Sequence, residues 1–158
     1  MTDKIAPCLW FDTEAEEAAE LYCSLFPNSR IVGRSHYGEV GPRAAGSVMT
    51  VDFELDGRPY VALNAGPDFP FTEAVSFQVS CEDQVEVDRL WDALLVGGGQ
   101  ESQCGWLKDR FGLSWQIVPQ ALPALLNDPD PQRAQRAMAA MLTMTRLDVA
   151  ALRAAADG

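Results

Sequence analysis

The stretch CGWLKDRFGLSWQIVP, Cys104 to Pro119, holds two of the chain's four tryptophans, a turn closed by Gly112, and one glutamine in an otherwise apolar run. CGWLK and LSWQIVP read as short strands around Asp109–Gly112, and together they read as a hairpin. Taking all of Asp109–Gly112 as turn sets Lys108 opposite Leu113, Leu107 opposite Ser114 and Trp106 opposite Trp115. Cross-strand partners share a face. The two tryptophans are therefore expected to pack together under a helix, aligned with Leu113 and Ile117. Gly105 and Gln116 pair on the other face, beside Ser114.

Upstream of this hairpin, AVSFQVS alternates as a strand, with Val75, Phe77 and Val79 on one face and Ala74, Ser76, Gln78 and Ser80 on the other. The helix signal follows in EDQVEVDRLWDALLVGGG. Asp83 is the candidate cap, Glu86 stands three residues on, and Val87, Leu90, Trp91, Leu94 and Leu95 form the apolar stripe. Gly97–Gly99 closes the helix, and QESQ supplies a weak strand before the hairpin.

The first half repeats this order. IAPCLWF reads as a buried strand. In DTEAEEAAELYCSLF, Thr13 and Glu16 have capping-box spacing, and Ala15, Ala18, Ala19, Tyr22 and Phe26 make a helical stripe. RIVGRSHY, SVMTVDFEL and PYVALNA follow as strands, the last two joined by Asp56-Gly57, a tight-hairpin pair. GPDFPFTE reads as an ordered crossing between the halves. The fold class is thus α+β. Two tandem βαβββ modules, residues 4–66 and 72–119, sit within a single domain of 1–158, and a helical tail runs over 120–158. In that tail Asp130-Pro131 starts one helix and Asp148 caps another.

Parity places Asn64 with Ala62 on one face of its strand and Val61 with Leu63 on the other. If the apolar side meets the helices, Asn64, Ser76, Gln78, Ser114 and Gln116 share the opposite face. Uncharged amides and small hydroxyls suit a small-molecule cavity better than a solvated sheet face, which normally carries more Lys, Glu and Thr. Asp52 and Glu54 share parity and read as a solvated outer face. No nucleophile–base pair is visible, so no residue is assigned a catalytic role.

The net charge of −11, spread along the chain, argues against nucleic acid, which needs a basic face. No apolar run approaches the roughly 20 residues that span a bilayer, and MTDKIAPCLWF lacks a leader pattern. The four cysteines, Cys8, Cys23, Cys81 and Cys104, show no CxxC spacing. Reduced thiols in a cytoplasmic protein are expected.

The words CLWFDTEAEEAAELYCSLFPNS, LNAGPDFPFTEAVSFQVSCED, VDRLWDAL, CGWLKDRFGLSWQIVP and MLTMTRLDVAALRAA resemble the vicinal oxygen chelate superfamily. That is the glyoxalase, bleomycin-resistance and dihydroxybiphenyl-dioxygenase group. Within it the chain is similar to the PhnB-like branch that bears the label 3-demethylubiquinone-9 3-methyltransferase. The resemblance implies two-fold dimers and a divalent metal held by four inward strand positions. Carried onto this chain, those positions fall near Ile5, near Leu63 or Asn64, at Ala74 and at Gln116. Ile and Ala donate nothing, and neutral amides are weak donors to such an ion. The single histidine, His36, lies outside these strands. No metal and no cofactor are therefore expected. Gln116 keeps the place of a ligand without its charge, suited to hydrogen-bonding a polar molecule. No glycine-rich loop joins a first strand to a helix, so adenosylmethionine chemistry is not expected.

The leading expectation is a homodimer that binds a small organic molecule in a cavity formed by the paired modules, as a sequestering protein or as an enzyme. The alternatives are a divalent-metal lyase, isomerase or dioxygenase of the superfamily, and an assembly scaffold with a vestigial cavity.

Overall fold

The computed structural model describes residues 4–158, which form two compact units that meet in sequence between Pro70 and Phe71. The first unit runs β1 (Cys8–Phe11), α1 (Ala15–Leu25), β2 (Arg30–His36), β3 (Val48–Leu55) and β4 (Arg58–Asn64). The second runs β5 (Ser76–Cys81), α2 (Gln84–Leu95), β6 (Gln100–Glu101), β7 (Trp106–Lys108) and β8 (Ser114–Pro119). It continues into α3 (Ala121–Leu126), α4 (Pro131–Met141) and α5 (Val149–Asp157). The sheet orders are β1-β4-β3-β2 and β5-β8-β7-β6. In each unit the first and last strands pair in parallel and the remaining pairs are antiparallel. This is the repeated βαβββ order expected from the sequence, in an α+β fold.

Each unit is closed by the helical stripe read from its sequence. In α1, Ala15, Ala18, Ala19 and Tyr22 are buried, and in α2, Val87, Leu90, Trp91 and Leu94. Asp83 caps α2 by accepting from the Glu86 N–H at 2.9 Å, and the Glu86 carboxylate reaches back to the Glu82 N–H at 2.8 Å. Glu86 thus reaches back past the cap residue, to the N–H one position before the one a capping box uses. The Asp56-Gly57 turn has both residues at positive φ, 47° and 75°, the requirement of a two-residue hairpin.

Helix α1 departs from the expected box. It begins at Ala15 after Glu14, and no side chain of its own turn caps it. The Asn64 side chain at the end of β4 takes the Ala15 N–H instead, at 2.8 Å. Glu16 pairs with Arg34 of β2 rather than reaching back to the cap position.

The tail belongs to the second unit. Val118, Leu122, Leu147 and Leu152 form a buried cluster, with Leu125, Leu126, Met141 and Met144 packed against it. The Cys104 and Gly105 N–H groups donate to the Met144 and Thr145 carbonyls at 2.8 Å each. Gln84, at the start of α2, donates to the Leu147 carbonyl and accepts the Val149 N–H. Arg146 bridges Asp88 and Asp92 over the Trp91 ring. These bonds fix the tail against α2 and the turn before β7.

Candidate functional site

The hairpin β7–β8 has a different register from the one expected. Trp106 stands opposite Gln116, Leu107 opposite Trp115 and Lys108 opposite Ser114. The cause is the turn. Asp109 is itself paired, donating its N–H to the Leu113 carbonyl at 3.0 Å, so the loop is Arg110, Phe111 and Gly112 only. Gly112 takes φ 88°, as the last residue of a three-residue hairpin loop does. The Asp109 carboxylate accepts from the Phe111 and Leu113 N–H groups and from the Trp115 indole. An odd loop in place of an even one moves every partner by one and flips its face.

The tryptophans are therefore separated. Trp115 is buried on the helix side beside Leu107, its ring edge-on to Phe77 at 5.3 Å between centroids. Trp106 is half-buried on the opposite, open face with Gln116. Val75, expected on the helix side with Phe77 and Val79, precedes β5 and is exposed.

Ladder pairing lays two polar rows across the open face of the second sheet. One is Gln100, Lys108, Ser114 and Ser76, from β6 through β7 and β8 to β5. The other is Trp106, Gln116 and Gln78. Ser76, Gln78, Ser114 and Gln116 are thus brought together as the sequence implied, and Trp106 and Lys108 join them. Gln116 Nε2 donates to Ser76 Oγ at 2.8 Å, which leaves the amide oxygen to accept from a ligand. A cleft of about 140 Å³ opens at the β6–β7 side of this sheet, where Trp106, Lys108 and Ser114 of the open face meet Glu73, Gln100 and Ser102, with Glu101 and Leu107 completing the lining. Missing Trp106 and Lys108 from the sequence was a register error. The available signal was Asp109 with Gly112, an Asx turn closed by a left-handed glycine.

Asn64 does not belong to an open face. Ladder pairing with Phe11 sets it on the helix side of the first sheet, and it is 6% exposed. Its amide is committed at both ends, accepting from Ala15 and donating to the Val48 carbonyl at 3.1 Å. The open face of the first sheet carries Cys8, Trp10, Val61 and Leu63, with Thr50 and Asp52 beyond them. Asp52 and Glu54 do share a face there. Arg30 grips Glu54 with two bonds and holds its carboxyl below the usual carboxylate range.

The positions where the superfamily's metal ligands would fall do not fit a divalent ion. Ile5 is 86% exposed ahead of β1, Ala74 precedes β5, Asn64 is spent on α1, and Gln116 is a neutral amide bonded to Ser76. Among the described residues, no three His, Cys, Asp or Glu side chains gather as a metal site. His36 is an exposed residue at the end of β2.

The cysteines are unpaired. Burial, first, and then the nearby Glu86 carboxylate push the Cys81 thiol up to about 12, so it is not a nucleophile at neutral pH. No helix among the described residues is long and apolar enough to cross a membrane.

The family model described as 3-demethylubiquinone-9 3-methyltransferase matches residues 3–118, both modules up to β8. A PhnB protein from Bacillus cereus that bears the same label is 35% identical. That match covers 74% of this chain and 99% of the other, with a TM-score of 0.68. A Pseudomonas aeruginosa protein of known structure is 21% identical, covering 75% of this chain and 98% of its own, with a TM-score of 0.60, and shares the fold. No curated protein matches the chain.

Proposed function

The chain belongs to the 3-demethylubiquinone-9 3-methyltransferase family, the PhnB-like branch of the glyoxalase/bleomycin resistance superfamily, and from that membership we propose that it binds a small organic molecule on the open face of its second sheet, without metal. The observation that carries this reading is the pair of rows around Trp106. Ser76, Gln78, Ser114 and Gln116 offer uncharged donors and acceptors beside a half-buried indole, the mixture a small-molecule site uses to fix orientation. Gln116 orients the ligand by hydrogen bonding, and Trp106 supplies apolar contact.

Two other chemistries receive no support from the residues. A divalent-metal lyase, isomerase or dioxygenase needs charged or imidazole donors where this chain has Ile5, Ala74 and Gln116. Methyl transfer from adenosylmethionine needs a strand–helix turn that lets backbone approach the cofactor. Here those turns are Asp12–Glu14 and Glu82–Asp83, acidic and without glycine. The same reading makes the protein a cytoplasmic homodimer without nucleic-acid partners, sedimenting at about twice the 17.3 kDa chain mass.

The test is a melting-temperature screen of full-length protein against small organic molecules, with metal analysis of protein purified without chelator. A ligand of this face raises the melting temperature of wild type and has a reduced effect on Gln116→Ala and Trp106→Ala. Shifts that persist unchanged in both variants place binding elsewhere. Stoichiometric Zn, Ni, Mn or Fe contradicts the metal-free reading.

A further inference from the structure

Ser114 is 1% exposed, and among the described residues its Oγ is the one buried side-chain polar atom without a hydrogen-bond partner. It lines the cleft on the open face, directly across the ladder from Lys108. Buried hydroxyls are normally satisfied, so an orphan facing a cleft marks the place of an absent acceptor. The Lys108 ammonium, of the same cleft lining, is paired with the Glu73 carboxylate.

Glu73 and Ser114 differ in how firmly they are held. Ser114 sits on β8, bonded between β5 and β7. Glu73 lies ahead of β5, outside the ladder, and its side chain is 64% exposed. Exposed ion pairs of this kind are weak in water, so the carboxylate can leave Lys108 without breaking a strand bond. The other carboxylate lining the cleft, Glu101, pairs in the ladder with Leu107 on the helix side and is held by the Trp91 indole at 2.9 Å. It does not compete for Lys108.

We propose that this cleft takes the carboxylate of a small organic acid: Lys108 and Ser114 donate to its oxygens in place of Glu73, and its apolar body lies against Trp106. This rests on the reading that the face binds a small organic molecule, and adds the charge of that molecule. Glu73 is then the internal occupant of the acid's position, a carboxylate that keeps Lys108 neutralised until the ligand arrives. The cleft's volume of about 140 Å³ is close to the roughly 150 Å³ void that holds a benzene ring. Benzoate is therefore a fitting probe, and benzamide its neutral counterpart of the same shape.

The experiment is an NMR titration of the full chain, following backbone amides and the Trp106 indole, with benzoate and with benzamide. Wild type, Lys108→Met and Glu73→Gln are compared after each is shown to melt as wild type does. Benzoate is expected to shift Lys108, Ser114 and Trp106 and to bind at least tenfold more tightly than benzamide. Lys108→Met abolishes that preference. Glu73→Gln tightens benzoate several-fold by removing the internal competitor, an outcome a merely structural Glu73 would not give. Equal binding of benzoate and benzamide at Trp106 and Gln116 overturns the acid assignment and leaves the small-molecule reading intact. Weaker benzoate binding in Glu73→Gln, or benzoate shifts confined to other parts of the chain, also overturns it. Loss of every probe from this face overturns both readings.

Discussion

The Asp109 carboxylate accepts the indole N–H of Trp115 at 2.9 Å, and the same carboxylate takes the N–H groups of Phe111 and Leu113. One side chain thus shapes the loop, anchors one of the two fully buried tryptophans of the second core and sets which residues of β7 lie on the open face. Asp109 is 3% exposed, so its removal takes a buried hydrogen-bond acceptor from the Trp115 indole and from the Leu113 N–H. Asp109→Ala is expected to lower stability by about 3 kcal/mol, read from denaturant midpoints at unchanged slope. A midpoint equal to wild type would contradict this role.

The two tryptophans should respond differently. Trp115→Ala opens a void beside Phe77 and Leu107 and should cost roughly 3–5 kcal/mol. Trp106→Ala, on the open face, should cost about 1 kcal/mol or less and act chiefly on ligand binding. Equal losses in the two variants would return both rings to one core.

Much of the fold was legible in the sequence because the helical stripes, the Asp56-Gly57 turn and the Asp83 cap each act locally. What failed depended on partners elsewhere. Counting Asp109–Gly112 as four turn residues sets Trp106 opposite Trp115. Only the ladder bond of Asp109 to Leu113 shows that the loop is odd. Asn64 was set on the open face because Val61 and Leu63 look more core-like than Ala62. Parallel pairing with β1 decides otherwise, placing Ala62 beside Leu9 and Asn64 beside Phe11. Apolar side chains occupy both faces of that sheet, so the binary pattern alone does not choose. The orphan hydroxyl of Ser114 has no sequence signature, since it follows from what the neighbouring strands fail to offer.

Asn64 gives a second long-range dependence. It caps α1 from 49 residues away and also binds the Val48 carbonyl. Asn64→Ala should cost about 2 kcal/mol, and hydrogen exchange should quicken in the first turn of α1. Unchanged protection there would mean that the helix start needs no such cap.

The tail should prove inseparable from the second module. A Cβ on Gly105 would meet the Ile117 carbonyl oxygen and Leu147 Cδ1, each at 2.9 Å, and its φ is 84°. Gly105→Ala is therefore expected to cost roughly 1–3 kcal/mol from backbone strain alone. Truncation after Pro119 strips the partners from Val118, Cys104 and Gln84, and should give aggregation or unfolding. A well-folded truncated chain with wild-type melting would show that the tail is dispensable.

We propose that the open face of the second sheet is a binding site for small organic molecules. Its most direct test is a crystallographic soak of full-length protein with a broad set of polar aromatic fragments. Fragment density is expected against Trp106, within hydrogen-bonding distance of Gln116 or Ser114. Fragments gathered instead around Asp52 and Tyr60 of the first sheet, with the Trp106–Gln116–Gln78 row bare, would contradict it.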